Sequence, residues 1–307
     1  MKITGIVMAS AALALAAPFA DAQPRRSSVQ DVAIGSQVGW SAEANPQPVR
    51  YRFGDIDVGV RPRVDPEFED LIAPVVTLEV PGRPPLVLEG ADTRPSYEHK
   101  IGVGRFDRTG TRFLYLQSFT GGAHCCNAIQ VALIPAQGPV SLVDLGAWDG
   151  GPEEEMPEDE DGDGIVDFVQ RDNRFLYAFS SYAGSFAPPQ ILNIVDGEVV
   201  DVSDRPPFRR FFLEAMADGR EGCRDGFERN GACAGYVAAA ARAGRFDEAW
   251  RFMLSHYERS STWGTEDACR VGVDNPDACP ADQRVSFSGY PDALRYYLTE
   301  WGYLPAS

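Results

Sequence analysis

The stretch from Glu153 to Gln170, EEEMPEDEDGDGIVDFVQ, carries nine carboxylates between Glu153 and Asp167 and no basic residue. From Asp159 it reads DEDGDGIVD, which puts oxygen-bearing side chains at positions 1, 3, 5 and 9 of a tight loop and a glycine at position 6. Alternate residues of such a loop can aim their carboxylates at one point, and calcium takes about six to eight hard oxygens at roughly 2.3–2.6 Å. Asp159, Asp161, Asp163 and Asp167 are the candidate side-chain ligands, the carbonyl of Ile165 would add another, and Gly164 would supply a left-handed turn. Four carboxylates facing one another repel unless a cation sits between them, so the chemistry expected here is Ca2+ binding. Glu153, Glu154, Glu155 and Glu158 lack the alternating spacing and read as a solvated acidic approach.

Position 12 separates two kinds of calcium loop. An EF-hand uses a bidentate glutamate there, at the start of a second helix. Here the residue is Gln170, and IVDFV alternates as a strand. With Asp167 at position 9 the stretch resembles the D-x-D-x-D-G-x-x-D loop of FG-GAP and integrin-like propeller repeats, which joins two strands. That resemblance implies calcium ligation at Asp159, Asp161, Asp163, Ile165 and Asp167. Asp107 to Leu116, DRTGTRFLYL, aligns on Asp159 to Phe168 without gaps, but Thr109 and Thr111 replace two aspartates and Arg112 stands at the glycine position. This earlier copy is expected to have lost the cation. A closed propeller needs at least about four blades of four strands, more than residues 29–202 can supply, so irregular or partial propeller-like antiparallel sheets are expected.

A second constellation is SFTGGAHCCN, with His124, Cys125 and Cys126. It is similar to a string in exported bacterial proteins, a likeness that implies no activity. Cys125 and Cys126 could form a vicinal disulfide, pair with different partners, or leave a thiolate beside His124 for nucleophilic or soft-metal chemistry. Of the other cysteines, Cys223 and Cys233 are spaced like Cys269 and Cys279, so local pairing is expected; the crossed pairing of Cys223 with Cys279 and Cys233 with Cys269 is the competitor. There is no C-x-x-C, G-x-S-x-G, H-E-x-x-H or Walker loop, and IGVGRFD has Asp107 where a dinucleotide loop needs its third glycine. His99 and His256 are isolated. No catalytic residue is assigned, and the expected function is an exported calcium-binding protein with a binding or envelope-interaction role. The rivals are an exported hydrolase with a site in the β domain near His124, and a peptide-binding helical adaptor.

These residues need a scaffold, and the composition bounds it. Lys2, the apolar run from Ile3 to Ala17 and Ala20-Asp21-Ala22 have the order of a secretory signal peptide. The expected divisions are residues 1–22 as signal, 23–204 as a β-rich domain with the calcium loop, and 205–307 as a small helical domain containing disulfides: an α+β chain, periplasmic or secreted. No later run approaches the roughly 20 apolar residues of a membrane span. A net charge of −17 repels nucleic acid and anionic lipid and favours cations, or an envelope protein or peptide with basic character.

Short β-type runs, Val49 to Phe53, Val75 to Val80, Leu86 to Leu88, Phe113 to Phe119, Ile129 to Ile134 and Ile165 to Val169, are broken by Gly, Pro and Asp. Asp196-Gly197 between two alternating runs predicts a hairpin. After residue 204, an alanine-rich helix over about Cys233 to Ala243 leads through Gly244 to a second helix. There Phe246, Ala249, Trp250, Met253, Leu254 and Tyr257 form one apolar stripe, read as core packing. AGRFDEAW resembles the inter-helix turn of a tetratricopeptide repeat and YPDALRYYL echoes it, over fewer residues than the roughly three repeats a solenoid needs.

Overall fold

The computed structural model describes residues 29–149, 156–271, 273 and 278–306. The expected signal peptide and Glu153 to Glu155 lie outside the described residues.

The β-rich part is built in layers. The first sheet runs β1 (Val29–Val32), β3 (Val49–Phe53), β4 (Ile56–Val64), β5 (Ile72–Glu79) and β6 (Leu86–Glu89). The second runs β10 (Ser141–Trp148), β9 (Asn127–Ile134), β8 (Arg112–Phe119), β7 (His99–Arg105) and β2 (Gln37–Trp40). Neighbouring strands are antiparallel except β1 and β3. Alternation decides what faces what: Ile56, Val58 and Val60 of β4 are buried every second residue and meet Leu114 and Leu116 of β8 between the sheets.

On β8 the intervening residues are buried too. Phe113 and Tyr115 point to the opposite face, against Phe168, Leu192 and Ile194. These belong to a third sheet of β11 (Phe168–Arg171), β12 (Pro189–Val195) and β13 (Glu198–Asp201). The second sheet is therefore a middle layer, which is why FLYLQS reads as a continuous buried run. Asp196 and Gly197 both take positive φ, 52° and 84°, in the β12–β13 turn, as a two-residue hairpin requires. The sheets of five, five and three strands are the irregular antiparallel arrangement expected, and none among the described residues is a four-stranded blade.

The helical part packs on the third sheet. A single 3-10 turn, Pro206–Phe208, leads into α1 (Arg209–Asp225); α2 (Arg229–Arg242), α3 (Phe246–His256) and α4 (Tyr290–Glu300) follow. Ile191 of β12 and Val202 are buried with Phe208, Phe212, Ala215 and Ala239. Gly244, at φ 71°, turns the chain between α2 and α3. In the α3 stripe Ala249 and Met253 are buried and Phe246, Trp250 and Tyr257 pack against them, but Leu254 is 37% exposed. Trp250 is covered by Arg295, whose guanidinium carbon lies 4.5 Å from its ring centre, so this face forms part of the core rather than an open groove. A β-rich region followed by a small helical, disulfide-containing region makes the chain α+β.

Candidate functional site

The acidic loop enters the third sheet along a path fixed by backbone bonds. The amide of Asp167 donates to the Glu158 carbonyl (2.8 Å) and the amide of Val166 to the Phe106 carbonyl (3.0 Å). Glu158, expected to be a solvated linker residue, thus forms the antiparallel partner of Asp167. Between these anchors the aspartates fold the loop around themselves. Asp159 accepts from the amides of Gly162 (2.8 Å) and Gly164 (2.9 Å), Asp161 from Asp163 (2.9 Å), and Asp163 from Ile165 (2.7 Å). Asp167 accepts from the amide of Glu160 (2.8 Å) and from the side-chain amide of Asn193 on β12 (2.6 Å). Gly164 takes φ 95°, the left-handed turn its place in the loop demands.

The consequence is convergence. One carboxylate oxygen each from Asp159, Asp161 and Asp167 lies within 4.8 Å of the others. Asp167 is buried, at 1% exposure; burial pushes its carboxyl above the usual range, against the lowering effect of Asn193, and the nearby Asp161 charge adds to the rise. An ionised carboxylate accepts about four hydrogen bonds, so the amides leave lone pairs for a hard cation, and the donor set suits calcium. Asp163 does not join this group: its second oxygen lies 3.5 Å from Arg205. Nor is the loop without basic neighbours. Arg108 donates to the Gly162 carbonyl (2.6 Å) and lies 3.7 Å from Asp159, and Arg210 of α1 pairs with Glu160 at 2.5 Å.

The earlier copy lies alongside, with Asp107 bridged to Ile165. Its Asp107 accepts from the Thr109 amide and hydroxyl (both 2.8 Å) and the Thr111 amide (3.0 Å). A turn is closed there too, by two amides and one hydroxyl on a single carboxylate instead of several. Asp107, Arg108 and Thr111 of one loop and Asp159 and Gly164 of the other line a cleft of about 920 Å³, together with Met156.

Over 239 residues the chain is 38% identical to the "Probable thylakoid lumen protein sll0997" of Synechocystis sp., covering 76% of this chain and 68% of that protein. The chain belongs to the sll0997 family. The sll0997 C-terminal domain matches residues 210–302, from the first turn of α1 to just past α4. Protein y4bJ of Sinorhizobium fredii is 28% identical over 274 residues, which cover 86% of this chain and 42% of y4bJ. No solved structure matches the chain.

Two of the three disulfides lie within the domain that names the family. Cys223 pairs with Cys233, joining the end of α1 to the start of α2, and Cys269 with Cys279. The third joins Cys125 to Cys126 in the β8–β9 loop. Of the isolated histidines, His99 is buried at 1% exposure and His256 stacks on Phe252 at 4.0 Å. His124 is not isolated. Its imidazole reaches Asp149 at 2.7 Å and Tyr177 at 2.9 Å, partners that no local spacing could have signalled.

Proposed function

We propose that this member of the sll0997 family is an extracytoplasmic calcium-binding protein, periplasmic or secreted, whose Asp159–Asp167 loop takes the ion and whose role is binding at the cell envelope. The observation that carries the reading is the meeting of Asp159, Asp161 and the buried Asp167 at one point. Asp163 and the Ile165 carbonyl complete the FG-GAP-like set once Asp163 turns from Arg205. The compartment is supported by the thylakoid-lumen description of the Synechocystis relative and by three disulfides, which persist in oxidising compartments. Among the described residues no helix is long and apolar enough to cross a membrane. The partner favoured by the net charge of −17 is an envelope protein or peptide with basic character.

Calcium bound only to the native state at tenfold its Kd adds about 1.4 kcal/mol, or roughly 2 °C in Tm for a chain of this size. The test is a melting curve with calcium and with chelator, paired with calorimetric titration. Asp161→Asn keeps an acceptor for the Asp163 amide while removing a ligand charge, and is expected to abolish the rise and weaken binding. A melting curve indifferent to calcium and chelator refutes the reading.

A further inference from the structure

The β8–β9 loop is tied at its base, where the Thr120 amide donates to the Cys126 carbonyl (2.8 Å) and the Cys126 amide to the Thr120 hydroxyl (2.8 Å). From it His124 projects into a group drawn from two other segments. Its Nδ1 lies 2.7 Å from Oδ2 of Asp149, just past β10, and its Nε2 lies 2.9 Å from the hydroxyl of Tyr177. The ring lies flat on Tyr182 at 3.7 Å, and the Tyr182 hydroxyl donates to the other Asp149 oxygen at 3.0 Å. Asp149 is 5% exposed, and its two carboxylate oxygens are taken by His124 and Tyr182. A carboxylate only accepts, so Nδ1 must carry a hydrogen towards Asp149, leaving Nε2 of the neutral ring to accept from Tyr177.

Tyr177 is held in an unusual way. Its φ is 61°, a left-handed conformation that bulky residues rarely adopt and that collects at functional sites. Its amide donates to the Ser185 hydroxyl (3.1 Å) and its carbonyl accepts from the Trp263 indole (2.8 Å). The neighbouring backbone is clamped from two sides. A Cβ on Gly264 would collide with the Ala178 carbonyl, and one on Gly231 of α2 would collide with Ser180. Despite this fixation the Tyr177 side of the group is open to solvent, with the residue 49% exposed.

A nucleophile bonded to a base that is itself oriented by a buried acid is the arrangement by which a weak nucleophile is activated. We infer that Tyr177 is a nucleophilic phenol for acyl transfer from carboxylic esters, with His124 as its base and Asp149 as the positioning residue. The Tyr177 oxygen bonds to the ester carbonyl carbon as its proton passes to His124 Nε2. The bond from that carbon to the leaving oxygen breaks, and the leaving alcohol takes the proton from His124. The product is an acylated Tyr177 and a free alcohol, with no change of oxidation state. Neutral or cationic esters suit the site; phosphate esters would meet the buried Asp149 and a chain of net charge −17. None of this depends on the calcium loop.

The probe is p-nitrophenyl acetate on the full-length protein, with release of p-nitrophenolate followed in time and the acetyl group located by peptide mass spectrometry. One acetyl group is expected on Tyr177, formed at least about 10²-fold faster than on N-acetyltyrosinamide, the scale of general-base assistance. Tyr177→Phe, which removes only a hydroxyl at a half-exposed position, eliminates it. His124→Gln returns the rate to that of the free amide. Asp149→Asn, which keeps an acceptor for Tyr182, lowers the acylation rate constant at saturating ester without raising the half-saturating concentration, a split that a purely structural role would not produce. Acetylation of Tyr177 no faster than the free amide, or an acetyl group on another residue with Tyr177 unmodified, overturns the assignment.

Discussion

Lowering the pH should cost this protein stability through one buried histidine. His99 on β7 is 1% exposed and stands opposite Trp40 of β2, with ring centres 5.7 Å apart. Its nitrogens face hydroxyls, Ser118 at 3.0 Å and Thr93 at 3.4 Å, which can each rotate to donate or accept. The neutral ring is satisfied there, and burial lowers its pKa from 6.5 to about 4. The folded value lies below the unfolded one, so the unfolded chain takes up a proton that the native state refuses. The stability is fully present above pH 6.5 and is lost as the pH falls towards 4.

At about 1.4 kcal/mol per pH unit the full loss approaches roughly 3.4 kcal/mol, with about 2 kcal/mol gone at pH 5 and about 3 kcal/mol at pH 4. Urea unfolding at a series of pH values, for the native sequence and for His99→Gln, isolates this group, because carboxylate titrations shared by both proteins cancel in the difference. The variant is expected to be less stable at pH 7 and to gain on the native protein by about 2 kcal/mol at pH 5. NMR titration of the His99 imidazole checks the same point without a variant. A stability difference that stays flat from pH 7 to 4, or an imidazole that titrates near 6.5, refutes the reasoning.

Two further outcomes follow from the helical domain. The Cys223–Cys233 bridge closes a loop between residues ten apart, so replacing both with alanine should cost about 3 kcal/mol, mostly by freeing the unfolded chain, and should lower the urea midpoint; an unchanged midpoint would count against it. Gly235 of α2 has no room for a methyl group, because a Cβ there would strike the Phe186 carbonyl, so Gly235→Ala should destabilise by about 3 kcal/mol despite the better helix propensity of alanine. A thermal melt of that variant equal to or above the parent would show that the backbone can yield.

What could be read from the sequence was local. Period-two alternation located β3 and β9, Asp196-Gly197 located the β12–β13 hairpin, and the apolar stripe located α3, because in each case the signal and the element span the same few residues. Layer order was not readable in this way. The burial of both faces of β8 depends on β12, some seventy residues later, and the buried face of α1, Phe212, Ala215, Gly219 and Cys223, is marked mostly by small residues.

The two sites differ for the same reason. Alternate spacing was enough to bring Asp159, Asp161 and Asp167 together, since a tight loop of nine residues determines its own geometry. Asp163 instead lies towards Arg205, which is 42 residues away in the chain and bonded to Asn193 of β12 at 3.1 Å. The His124 group is wholly of this second kind, with Asp149 and Tyr177 separated from it by 25 and 53 residues. The glycines and cysteines of GGAHCC shape the loop that delivers the imidazole, but its partners are delivered by the end of β10 and by the segment clamped between α2 and Gly264. A histidine that looks solitary in a sequence is therefore informative only once the layers that surround it are known.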